Sequence, residues 1–143
     1  MTGIARPSLL VLPPAAMVLL IGLSGLPEAF GASADWSADA TIAGTLTGIL
    51  AVIAARLGGL RPLLGIAAAL TVVLFSFGFA QWGEINAMRM WQPHPFALEA
   101  WIIGWTLSIA GLLGLMSAIA HRLSLPKPKP ARMARSMRIS IET

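Results

Sequence analysis

The sequence predicts an all-α integral membrane protein, a small bundle of four transmembrane helices, and three observations carry that reading. Hydrophobic residues fill 57% of the 143 positions and charged residues only 11%, against roughly 25% charged in an ordinary soluble domain. Mean hydropathy is +0.79. Between the charges lie stretches of about the 20 apolar residues that a helix needs to cross the hydrocarbon core. In lipid a helix satisfies its own backbone donors and acceptors, so these stretches read as helices rather than strands. A water-soluble enzyme is excluded by this composition. The lack of cysteine excludes a disulfide framework, a thiolate zinc site, an iron–sulfur cluster and a cysteine nucleophile.

The first span covers residues 8–27. Pro13-Pro14 removes two amide donors near its start, which predicts either a kinked or interrupted helix after the opening turn or, the favoured reading, a short interfacial segment leading into a straight helix from Ala15. An inverted-repeat transporter would carry a matching break in its other half, and none is present. The same segment also fits a cleavable signal peptide, with Arg6 as charged region, Ala15 to Leu26 as apolar core and Ala32-Ser33-Ala34 as cleavage site. Cleavage would leave three spans. Retention is favoured because the apolar run is long for a signal core and the next span follows after a short polar gap.

The second span covers residues 40–59, its apolar stretch from Ala40 to Ala55 lengthened by Arg56, whose stem lies along the helix while the guanidinium reaches the headgroups. The third (62–83) and fourth (100–121) contain no Asp, Glu, Lys or Arg. Residues 1–123 thus form one transmembrane domain, followed by a basic, proline-rich tail over 124–143.

Orientation follows from the cations. With alternating spans, Arg6, Arg56, Arg61, Arg122, Lys127, Lys129, Arg132, Arg135 and Arg138 share one side and Arg89 alone takes the other. The acids divide the opposite way, with Glu28, Asp35, Asp39, Glu84 and Glu99 in the opposite loops and Glu142 alone on the basic side. The positive-inside rule makes both termini cytoplasmic, and Trp36, Trp82, Trp91 and Trp101 form an aromatic belt at the outer interface. Alanine- and leucine-rich spans with short loops fit a bacterial cytoplasmic (inner) membrane.

Small residues supply the packing surfaces. Gly44 and Gly48 follow Ala40 at four-residue spacing on span two, while Gly104 with Ser108, and Ala110 with Gly114, give span four two smooth faces. These faces serve either the interior of the bundle or a membrane-protein partner, a second copy included.

Chemistry is sparse. No span carries an ionisable residue at mid-depth, which argues against ion transport by one protomer. His121 closes span four beside Arg122, where an imidazole complements the helix dipole. The outer loop 84–99 is the richest segment: Met88, Met90 and His94 are candidate ligands for Cu(I), a soft ion suited to thioether and imidazole. Met88 and Met90 beside Trp91 equally suit a loop seated in the membrane interface. Glu84 and Glu99 terminate successive spans, and a facing carboxylate pair can do acid–base work, although each is also a plain boundary charge. No catalytic motif accompanies them.

In the tail, Pro126, Pro128 and Pro130 make a stiff spacer, beyond which Met133, Met137 and Ile141 fall opposite Arg132, Arg135 and Arg138. That pattern suits either an amphipathic segment on an anionic membrane surface or an unstructured topogenic tail. Nucleic acid is not an expected partner, because no aromatics interleave with the cations. The whole predicts a multi-pass protein without catalytic residues or cofactor, an accessory subunit or assembly partner of a larger membrane complex. The alternatives are a small transporter or copper-handling protein using loop 84–99, and a membrane enzyme using Glu84 and Glu99.

Overall fold

The structure, a computed structural model, describes residues 11–88 and 94–125. Every regular element among them is helical: α1 (Leu12–Leu23), the short α2 (Leu26–Ala29), α3 (Ser37–Leu57), α4 (Pro62–Ala87) and α5 (Ala97–Ser124). Three of these, α3, α4 and α5, are long and apolar enough to cross a membrane, while α1 is a shorter apolar helix. At 1.5 Å per residue the 12 residues of α1 extend about 18 Å, short of the roughly 30 Å hydrocarbon core.

The boundaries differ from the sequence reading for local reasons. Pro13 and Pro14 occupy the first turn of α1, where a missing amide hydrogen leaves no helical bond unmade, so they open this helix rather than break it. The start of the expected first span, residues 8–10, lies outside the described residues. Helix α3 begins at Ser37 and stops at Leu57, two residues short of the expected Gly59. There Leu60 N–H donates to the Ala55 carbonyl (3.0 Å) and Gly59 N–H to that of Arg56 (3.1 Å), with Gly59 at φ +69°. This pairing is a Schellman stop, and a side chain at the left-handed position would strain it. Pro62 then opens α4. Helices α4 and α5 each overrun the apolar stretch, to Ala87 and from Ala97 to Ser124, because no proline or left-handed glycine halts them at the interface. Glu84 is therefore inside a helix and not in a loop.

Helix α5 is the axis of the bundle. It packs along α4 on one side and α3 on the other, and α1 lies against α3 and α5. A Cβ added at Gly104 would fall 2.7 Å from the Ala80 α-carbon, and one at Gly48 would fall 3.1 Å from that of Ala110, so backbones meet at these glycines. Close approach of this kind replaces the hydrophobic drive that lipid does not supply. The α4–α5 seam also holds a hydrogen bond between the Ser76 and Ser108 hydroxyls, 3.0 Å apart. Two apolar clusters result: Ala32, Ala40, Ala80, Trp101 and Trp105 at one end, and Ala15, Val18, Ile109 and Leu113 nearer the middle.

Candidate functional site

The charges described divide between the two ends of the bundle. Arg56, Arg61 and His121 come together around one groove, with Arg122 next in sequence, whereas Glu28, Asp35, Asp39, Glu84 and Glu99 belong to the opposite end. The tail cations Arg132, Arg135 and Arg138, the expected membrane-surface residues, lie outside the described residues.

At the acidic end the connection from Ser24 to Trp36 is tied down over α4 and α5. The turn at Gly31 (φ +100°) frees two carbonyls to face inward. Trp101 Nε1 donates to the Gly31 carbonyl at 2.8 Å, and Gln81 Nε2 donates to that of Phe30 at 3.0 Å. Trp36 meets Trp101 edge to face at 5.1 Å between centroids, and the Ser37 hydroxyl donates to Glu28 Oε1 at 2.9 Å. Trp101, expected in the interfacial belt, is thus buried at 7% exposure, while Trp82 is open at 41%. An indole pointing inward is the better outcome here, since its N–H finds a carbonyl that would otherwise be left without a donor.

Both carboxylates of the candidate pair belong to this end. Glu84 turns its carboxylate onto the Gly31 α-carbon and is half-buried, and Glu99 is exposed in the first turn of α5. Of the copper candidates, Met88 is 63% exposed at the end of α4. His94 packs edge-on to Trp82 at 5.2 Å, and its Nδ1 accepts the Phe96 N–H at 3.4 Å. Met90 lies outside the described residues.

The candidate packing residues are all placed against neighbours within the chain. Gly44 meets Ile109, Gly48 meets Leu113 and Ala110, Gly104 meets Ala80, Ser108 bonds Ser76, and Gly114 approaches Ala69, whose Cβ an added Cβ would meet at an ordinary 3.5 Å. On span four, Gly104, Ser108 and Gly114 meet α4 and Ala110 meets α3. Several contributors escaped the sequence reading: Ser76, Ala80 and Gly83 on α4, and Gly111 on α5. Ser76-x-x-x-Ala80 carries the four-residue spacing already visible in span two and was findable by that signal.

The basic end holds a groove of about 300 Å³ between α3, α4 and α5. Its walls are small apolar residues such as Ala51, Ala68 and Gly111, and Arg56, Arg61 and His121 stand at one end of it. Ser117 lines it at 1% exposure, its hydroxyl without a hydrogen-bond partner among the described residues. The groove exists because α3 and α4, joined at the tight Leu57–Pro62 turn, both pack on α5 and hardly on each other.

Comparison with models of protein families, with curated proteins and with solved structures finds no match for this chain.

Proposed function

We propose that the protein is a small multi-pass subunit or assembly partner of a larger membrane complex, contributing surface rather than catalysis. The observation that carries this reading is the exposure of α4. This helix has 26 residues, of which only Ser76, Ala80 and Gly83 are buried. Phe75, Phe79 and Trp82 recur along it at helical spacing with exposures of 77%, 47% and 41%, and Phe79 stacks on Trp82 at 6.1 Å. Large aromatic side chains anchor protein interfaces out of proportion to their number. The glycine faces of α3 and α5 are occupied within the chain, and among the exposed apolar faces that of α4 is the one rich in large aromatics. A bacterial inner membrane with both termini cytoplasmic is the setting supported by the separation of Arg56, Arg61 and Arg122 from the acidic end.

A photo-crosslinking amino acid placed at Phe75 in cells tests this directly. One discrete protein adduct at Phe75 and Phe79, with none at Leu50 on α3, is expected. Adducts of lipid mass alone, or equal trapping from both helices, would refute it.

A metal-handling role draws support from one feature, the fixing of His94 by Trp82 and the Phe96 amide with Nδ1 engaged, at the same end of the bundle as exposed Met88. It predicts Cu(I) binding that is lost in both Met88→Ala and His94→Ala.

A further inference from the structure

We propose that the groove between α3, α4 and α5 is a binding site for one anionic phospholipid from the leaflet at the basic end. Its phosphate lies at Arg56, Arg61 and His121, its ester carbonyl accepts from Ser117, and one acyl chain runs between α3 and α4. The inference needs α3, α4 and α5 to cross a bilayer and is independent of any protein partner.

Four observations converge on this occupant. The lining contains no acidic residue, and its cations gather at one end, so the site offers an anion a place only at the membrane surface. Basic pockets between membrane helices are known recognition sites for acidic headgroups. The apolar length also fits. From Arg56 to Thr47, from Pro62 to Val72 and from His121 to Leu107 the lined stretches extend about 14, 15 and 21 Å at 1.5 Å per residue, against about 15 Å for the hydrocarbon of one leaflet. The volume of about 300 Å³ stands at the lower end of small-molecule sites, which run from about 300 to 1,000 Å³.

Ser117 supplies the independent chemical signal. A hydroxyl buried without a partner carries a desolvation cost that a carbonyl acceptor would remove. Ser117 sits four residues before His121, about 6 Å deeper along α5. That depth, below phosphate and above hydrocarbon, is where a glycerol ester carbonyl is found. No protein side chain reaches it among the described residues, and a water there would face mostly apolar walls.

Full-length protein, stripped of lipid and inserted in nanodiscs of phosphatidylcholine, is titrated with spin-labelled phosphatidylglycerol, and the bound fraction is read by electron paramagnetic resonance. One site per chain is expected, and R56Q/R61Q should weaken it about 25-fold, roughly fivefold per guanidinium. Ser117→Ala should weaken it severalfold, and Ala68→Phe should abolish it by filling the apolar channel. Helical circular dichroism and a monodisperse elution profile verify each fold. If R56Q/R61Q does not fold, Ser117→Ala and Ala68→Phe decide alone. Equal binding of spin-labelled phosphatidylcholine, binding unchanged in Ala68→Phe, or a cross-link placing a second copy of the chain in the groove would each overturn the proposal.

Discussion

Trp101 and Gly31, seventy residues apart, are joined by a 2.8 Å hydrogen bond from the indole nitrogen to the glycine carbonyl. The bond pins the acidic-end connection to the central helix. Trp101→Phe keeps a ring in the pocket and deletes the donor. It should destabilise the protein by about 1–2 kcal/mol, since a net bond is lost and a carbonyl is stranded. Thermal unfolding in mild detergent measures the cost. Limited proteolysis should show new cleavage between Ser24 and Trp36, and an unchanged digestion pattern would argue against the tie.

Glycines on α5 should divide sharply. Gly104→Ala drives a methyl to 2.7 Å from the Ala80 α-carbon and must push α4 away, at a cost of about 1–3 kcal/mol. Gly114→Ala meets Ala69 at an ordinary 3.5 Å and should be tolerated. Comparing unfolding midpoints of the two variants checks this, and equal destabilisation would contradict the α4–α5 seam.

Ser76 and Ser108 give a coupling to measure. Their hydroxyls are 3.0 Å apart, and each also has a carbonyl of its own helix within reach, Val72 and Gly104 respectively, so with one proton apiece the donor across the seam shares or gives up its own-helix bond. A double-mutant cycle to alanine should return a coupling of about 0.6 kcal/mol and no more than about 1.7, because a separated helix in lipid also satisfies its serine locally.

The three long apolar helices were legible because hydrocarbon tolerates few residue types, and the run from Pro62 to Gly83 announces itself without any periodicity test. Their ends were not. Ser37, Ala87, Ala97 and Ser124 lie in polar interfacial sequence that continues the helix, and composition marks the edge of the lipid rather than the edge of the helix. Small-residue spacing picked out Gly44, Gly48, Gly104 and Ser108 as packing positions, yet gave no sign of which helix each would meet. The Trp101–Gly31 bond depends on a left-handed turn and on the rotation of α5, neither of which leaves a local pattern. Nor does the groove, which arises because α3 and α4 pack on α5 and hardly on each other.

The N-terminal helix should remain in the mature protein. Ala15 and Val18 pack with Ile109 and Leu113, and Ala32, within the candidate cleavage sequence, is buried beside Trp101 and Trp105. Intact-mass measurement of protein purified from membranes should include residues 12–23. A polypeptide beginning at Asp35 would restore the signal-peptide reading.

The most direct test concerns the two ends of the bundle. The chain contains no cysteine, so Asp35→Cys and Gly58→Cys each present a single thiol to a membrane-impermeant maleimide. With α3 crossing the bilayer and the arginine-bearing turn facing the cytoplasm, intact cells should label Asp35→Cys at once and Gly58→Cys only after permeabilisation. Labelling of both positions from the same side would contradict the account.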